Sequence, residues 1–200
     1  GASRGRFAAP GNVSWMLGTF PDLATVSLVA AVLLGMLAAS LFHVAAHAPS
    51  PRAVRLWGQS CLVAALGFTL RSMEPAASPG ALSGSGDLLI GAAVILQAAA
   101  FSQYSRYGGR LVRTLVIFNI VHLLSTIHFA GLDPNPMLRV VCADLIGAAA
   151  LFTAAAGIWR PTRKEFLQLG RIVAATYAVT GVALLADAAA TWRLGAPQAT

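Results

Sequence analysis

A polar face stands within an otherwise apolar stretch of this chain, and its residue types make it a candidate for chemistry. In the segment "NIVHLLST", Asn119, His122 and Thr126 follow an i, i+3, i+7 spacing, which places them on one face of a helix. Such side chains either hydrogen bond to a neighbouring helix or contact a ligand, and a histidine can also exchange a proton. Both interpretations of this face remain open from the sequence.

Charged side chains interrupt other apolar stretches and form a second group of candidates. A charge inside hydrocarbon costs a few kcal/mol, about 2.5 or more on insertion scales, so an intramembrane charge is a functional candidate by default. We therefore predict a ligand-binding site formed by Arg71, Asn119, His122, His128, Arg139, Asp144 and Asp187. Gln97 and Tyr177 are further polar candidates for its wall. The alternative is that Arg71 or Arg139 pairs with one of the two acids to hold helices together.

Motifs for catalysis or metal binding are missing from the sequence. It has no phosphate-binding loop with its lysine, no HExxH, no GxSxG and no CxxC pair. His43 and His47 are spaced i, i+4, but no carboxylate or thiol lies near them in sequence, which favours interfacial histidines over a metal site. Cys61 and Cys142 lie in apolar stretches and are predicted to be small core residues. We predict no catalytic residue, metal or cofactor within this chain.

The elements that must position these residues are membrane-spanning helices. The chain is 57% hydrophobic and only 10% charged, against roughly 25% charged in an ordinary soluble domain. Six apolar stretches have the roughly 20 residues that a helix needs to cross the hydrocarbon core. They cover residues 23–46, 53–72, 87–107, 111–130, 137–159 and 172–192. The predicted fold is an all-α, polytopic membrane helix bundle in which sequential helices are antiparallel neighbours.

The distribution of basic residues predicts how this bundle is oriented. Of the 14 lysines and arginines, nine fall at one set of alternate helix ends and five at the other. The positive-inside rule places the nine in the cytoplasm. Residues 1–22 then form an extracytoplasmic segment, and residues 193–200 an outer loop or tail. The net charge of +7 thus reports orientation, so the expected partner is the lipid bilayer and not nucleic acid.

Several segments resemble a known family. They are "RLWGQSCLVAALGFTLRS", "GDLLIGAAVILQAAAFSQYSRYGGR" and "PNPMLRVVCADLIGAAALFTAAAGIWR". In their order and flanking aromatic, glycine and arginine residues they resemble the N-terminal multi-helix sensor region of bacterial GGDEF-type diguanylate cyclases. The resemblance implies a multi-pass protein of the bacterial inner (cytoplasmic) membrane. It also implies a homodimer whose attached cytoplasmic cyclase converts GTP to cyclic di-GMP with Mg²⁺.

The cyclase signature is absent from these 200 residues, so that activity is expected only of a longer protein. Six helices that start outside leave Thr200 outside, and we expect the chain to continue into a seventh helix and a soluble domain. The predicted function is a sensory module that binds a small molecule or lipid between its helices and regulates the attached cyclase. The alternatives are a structural or assembly subunit of a larger membrane complex without catalysis, and a small transporter.

Overall fold

The structure, a computed structural model, describes residues 23–47, 51–73, 84–103, 108–132, 135–159 and 167–195. These residues form six long helices. They are α1 (Leu23–His47), α2 (Pro51–Met73), α3 (Ser85–Ser102), α4 (Gly108–Ile127), α5 (Pro136–Ile158) and α6 (Leu167–Gly195). A π-helical turn, His128–Leu132, extends α4. The prediction of an all-α fold with six long helices is confirmed for the described part of the chain.

All six helices are long and apolar enough to cross a membrane. Large apolar side chains lie on the surface of the bundle, and on α1 Leu33 and Met36 are 62% and 66% exposed. A continuous apolar surface of this kind is stable in hydrocarbon and unfavourable in water. The helices therefore indicate a multi-pass membrane protein.

The start of α6 and the end of α3 differ most from their predicted positions. Helix α6 begins at Leu167, although the prediction begins at residue 172. Helix α3 ends at Ser102, although the prediction extends to residue 107, and residues 104–107 lie outside the described part. Polar residues at a membrane surface stay in contact with water when they continue a helix. The length of an apolar stretch therefore does not locate the ends of the helix.

Consecutive helices pack as antiparallel neighbours, as the short connections predict. Helix α3 is central and packs against α2, α4 and α5, while α1 packs on α2 and α6 on α5. Side-chain contacts fix the register. Phe42 lies against Gly58, Leu111 against Gly157, and Phe152 against Gly181. In each pair a large side chain fills the space above a glycine, which is how helices approach closely in lipid without a hydrophobic driving force.

The closest backbone approach joins α2 and α3. A Cβ atom added to Gly86 would lie 2.7 Å from the carbonyl oxygen of Gly67, and one added to Gly67 would lie 2.8 Å from the carbonyl oxygen of Gly86. Neither helix accepts a side chain at this crossing. The crossing also brings the last turn of α2 against the first turn of α3, which positions the charged residues described below.

An aromatic cluster marks the opposite end of these two helices, here called the Trp57 end. The rings of Trp57 and Phe101 meet edge to face with centroids 5.2 Å apart. Phe101 also belongs to a buried cluster with Ile158 of α5 and Ala174 of α6. Four helices are therefore packed together at the Trp57 end.

Candidate ligand cavity

A cavity of about 530 Å³ lies in the middle of the bundle, and each of the six helices contributes to its wall. Its volume is in the range of pockets that hold a drug-sized molecule. Most of the lining is apolar, including Leu34, Phe68, Ile90 and Phe118. The polar residues that line it are Ser60, Cys61, Arg71, Asp87, Gln97, Asn119, His122, Asp144, Thr176, Tyr177 and Thr180.

One end of the cavity holds an ion pair between neighbouring helices. Arg71 Nη1, in the last turn of α2, donates to Asp87 Oδ1 in the first turn of α3 at 2.8 Å. Both side chains are about 30% exposed. The Gly67–Gly86 crossing explains this contact, because it brings the two helix ends together. The pair neutralises both charges next to the cavity.

The polar face of α4 is directed towards α3, as its spacing predicts. Asn119 Oδ1 lies directly over Gly91, and Thr126 Cγ2 lies over Gly84, 2.8 Å from where a Cβ atom of that glycine would be. The absence of side chains at Gly84 and Gly91 gives this face of α4 room to approach. His122, between the two contacts, is thereby held inside the bundle.

Two buried side chains in the cavity wall lack hydrogen-bond partners for one polar atom each. His122 is 7% exposed and Asp144 is 8% exposed. Within the described part of the chain, His122 Nε2 and Asp144 Oδ2 have no partner. A buried polar atom without a partner costs about 1–3 kcal/mol, and more when it is charged. The bundle thus retains two costly groups at the wall of one cavity.

The charges near Asp144 are few. The other charged residues that line the cavity with it are Arg71 and Asp87. Arg71, the positive one, already forms an ion pair with Asp87. The carboxyl of Asp144 therefore has no cation of its own among the described residues.

Hydrogen bonds between helices satisfy other polar side chains of the wall. The hydroxyl of Tyr177 on α6 donates to Oε1 of Gln97 on α3. Ser60 Oγ on α2 donates to the carbonyl oxygen of Ala93 on α3 at 2.9 Å. These bonds tie α2 and α6 to the central helix on two sides of the cavity. Beyond Tyr177, the apolar packing of the Trp57 end closes it.

The structure brings four of the seven predicted site residues to this cavity, namely Arg71, Asn119, His122 and Asp144. The other three do not line it. His128 is exposed on the π-helical turn, where its ring meets Phe129 at 4.9 Å between centroids. Asp187 is exposed, and Arg139 is half-buried in the first turn of α5. Ligand binding by any of the seven stays a prediction.

The alternative prediction paired Arg71 with Asp144 or Asp187. The structure shows a different partner. Arg71 pairs with Asp87, because α3 begins at Ser85 and Asp87 falls in its first turn, opposite Arg71. For Arg139, no ion pair is found in the described part of the chain. Asp87 was missing from the predicted site. A signal for it was present, since an acid opens the helix that follows the short connection after Arg71.

Metal binding finds no support in the arrangement of side chains. Among the described residues, no group of three or more His, Cys, Asp or Glu side chains is placed to hold a metal ion. His43 and His47 lie exposed on the surface of α1 with their rings tilted to each other, and His47 Nδ1 lies 3.0 Å from the carbonyl oxygen of His43. Cys61 and Cys142 are free thiols, so they form no disulfide with each other.

Comparison with known proteins gives no relative on which a family assignment can rest. No family model, no curated protein and no solved structure matches the chain.

Proposed function

We infer that this bundle is a ligand-binding module of a membrane protein, and that its central cavity is the binding site. One observation carries the proposal. His122 Nε2 and Asp144 Oδ2 are buried without partners at the wall of a cavity that each of the six helices reaches. A ligand with a polar group would satisfy atoms whose isolation otherwise costs stability. A packed structural subunit gains nothing from such atoms.

The way the wall is built supports a sensory role. A ligand shifts a conformational equilibrium only through different affinities for the two states. Since the wall is shared by six helices, a change in their packing changes the shape of the cavity. Binding and helix packing are therefore coupled. The resemblance to the sensor region of diguanylate cyclases supports this reading and extends it to an attached, dimeric, Mg²⁺-dependent cyclase in the bacterial inner membrane.

The ligand-binding proposal is tested by comparing two alanine-to-phenylalanine variants of α5. Ala150 lines the cavity, whereas Ala156 is exposed on the same helix and does not line it. Thermal unfolding of the protein in lipid nanodiscs is measured with a panel of small polar and amphipathic molecules. We expect at least one compound to stabilise the wild-type protein and the Ala156→Phe variant, but not Ala150→Phe.

Unliganded unfolding of the two variants is the control for misfolding, since Ala150→Phe must still unfold cooperatively. If no compound distinguishes wild type from Ala150→Phe, the cavity is not a binding site, and the structural-subunit alternative is favoured. The regulatory part has its own test. If the module regulates a cyclase, the coding sequence that follows Thr200 encodes a further membrane span and a cyclase domain. A coding sequence without them would contradict the proposed regulation.

A further inference from the structure

The cavity reaches the outer surface of the bundle between α1 and α6. Leu37 of α1 lines the cavity and is also 49% exposed. Thr176 and Thr180 of α6 line it and are exposed as well. Among the residues that line the cavity, these three are the exposed ones, so α1 and α6 flank the opening. At this depth along membrane-spanning helices, the surface faces hydrocarbon, so the mouth is open to the bilayer.

The mouth itself is chemically apolar despite its two threonines. Thr176 Oγ1 donates to the carbonyl oxygen of Ile172 at 3.0 Å, and Thr180 Oγ1 donates to that of Thr176 at 2.9 Å. Both hydroxyl protons are used within α6, so the two threonines offer no free hydrogen-bond donor beside the carbons of Leu37 and Leu184. The rim therefore favours an alkyl chain.

The interior of the cavity, unlike its apolar mouth, contains charged side chains, and the negative ones outnumber the positive one. The charged residues that line it are Arg71, Asp87 and Asp144. Arg71 and Asp87 neutralise each other at 2.8 Å, which leaves the carboxyl of Asp144 without a counter-charge. A buried carboxylate at membrane depth is stabilised by a cation at hydrogen-bond distance. The wall therefore favours a positively charged, hydrogen-bond-donating head group.

We propose that the cavity takes a single-chain amphiphile with a protonated primary amine, which enters sideways from the bilayer between α1 and α6. The ammonium group pairs with Asp144, and the alkyl chain lies in the mouth against Leu37, Thr176 and Thr180. At neutral pH a primary amine carries its charge, as lysine does. The cavity of about 530 Å³ suits one chain and a small head group. This inference rests on the proposed function and names its ligand class.

The chain has a built-in reporter for occupancy. Cys61 lines the cavity and Cys142 does not, and they are the two cysteines of the sequence. In a Cys142→Ser protein, reconstituted in phosphatidylcholine nanodiscs, Cys61 is alkylated with a neutral, bilayer-soluble maleimide. We expect dodecylamine to slow this alkylation about tenfold, the effect of an interaction near 1.4 kcal/mol. Dodecanol and dodecanoate, which have the same chain length, should change it less than about twofold.

Four variants, one of them a matched control, test the parts of the proposal separately. Asp144→Asn should abolish the advantage of the amine, because the counter-charge is gone. Thr180→Phe narrows the mouth and should slow alkylation of Cys61 without any amphiphile. Val179→Phe is the matched control, since Val179 is 70% exposed beside Thr180 but does not line the cavity. A Cys61→Ser protein, which keeps Cys142, should react at the same rate with and without the amine.

The outcomes distinguish this inference from the proposed function. Equal protection of Cys61 by all three amphiphiles overturns the amine preference while binding in the cavity stands. Protection by none of them overturns the ligand class, and the thermal shifts with Ala150→Phe then decide the proposed function separately. If dodecylamine still protects Cys61 better than the other two amphiphiles in the Asp144→Asn protein, the ammonium group does not pair with Asp144. Equal effects of Thr180→Phe and Val179→Phe overturn entry between α1 and α6.

Discussion

Two aspartates in the wall of the cavity differ in the partners that the fold gives them. Asp87 pairs with Arg71 at 2.8 Å, while Asp144 has a buried oxygen with no partner among the described residues. The sequence alone indicated that Asp144 was unusual, because an acid inside an apolar stretch is costly. For Arg71 it offered several acids, Asp87 among them, and did not decide between them. The partner depends on which turn of α3 faces the end of α2, and a one-residue change in the start of a helix rotates its side chains by about 100°.

Removing the charge of Asp144 should stabilise the bundle. An Asp144→Asn variant replaces an unpaired carboxyl with a neutral amide of similar size, so we expect the free energy of unfolding to rise by roughly 1–3 kcal/mol. Reversible unfolding in mixed micelles or bicelles measures this. Asp187→Asn is the control, because Asp187 is exposed and its neutralisation should change stability little. Lower stability of Asp144→Asn would mean that the carboxyl has a stabilising partner and would remove the argument for a functional acid.

At the scale of helices, the most restrictive feature is the Gly67–Gly86 crossing of α2 and α3. An added Cβ atom at Gly86 meets a carbonyl oxygen at 2.7 Å and the backbone nitrogen of Arg71 at 3.1 Å. Backbone atoms of a helix cannot move aside locally, so the two helices must separate. The small residues were visible in the sequence, but their pairing was not, because nearly every helix of this chain contains glycine or alanine.

Gly86→Ala should destabilise the bundle by about 1–3 kcal/mol, the usual cost of overpacking. The separation should also lengthen the contact between Arg71 and Asp87. The matched control is Gly35→Ala on α1, where an added Cβ atom has no neighbour within 4 Å. Alanine favours a helix by up to about 1 kcal/mol, so Gly35→Ala should be neutral or slightly stabilising. Equal unfolding free energies for the two variants would contradict the close crossing.

The hydrogen bond between Tyr177 and Gln97 links α6 to the central helix α3. A double-mutant cycle with Tyr177→Phe and Gln97→Leu should give a coupling energy of about 0.6 kcal/mol, and at most about 1.7 kcal/mol, as for such bonds in membranes. The measurement is the unfolding free energy of the wild type, both single variants and the double variant. A coupling energy near zero would show that α6 is held in place by packing on α5 and at the Trp57 end, and not by this hydrogen bond.

At the scale of the whole molecule, the number and approximate positions of the helices could be predicted from the sequence. Apolar stretches of about 20 residues have few alternatives to membrane-spanning helices. The cavity could not be predicted. It arises because α1 packs mainly on α2 and α6 mainly on α5, which leaves a gap beside α3. The pattern of small residues does not encode which helices leave such space. For the same reason the site predicted from the sequence includes His128, Arg139 and Asp187, which do not line the cavity.

The orientation of the bundle remains a prediction from the distribution of lysine and arginine. Single cysteines introduced at Gly5 and Gln198, in a protein without Cys61 and Cys142, should react with an impermeant thiol reagent in intact cells. A cysteine introduced at Arg163, in the most basic connection, should react only after the membrane is opened. The reverse pattern would show that the bundle is inverted. It would also remove the expectation of a further crossing between Thr200 and a cytoplasmic domain.

The rim formed by Leu37, Thr176 and Thr180 belongs to the lipid-facing surface of the bundle. Whatever passes this rim must first dissolve in the membrane, so its mole fraction among the lipids, and not its aqueous concentration, determines occupancy. An apparent dissociation constant expressed per volume of buffer would therefore rise in proportion to the amount of lipid in the sample. Titrations at two lipid-to-protein ratios would agree only when the ligand is counted per lipid.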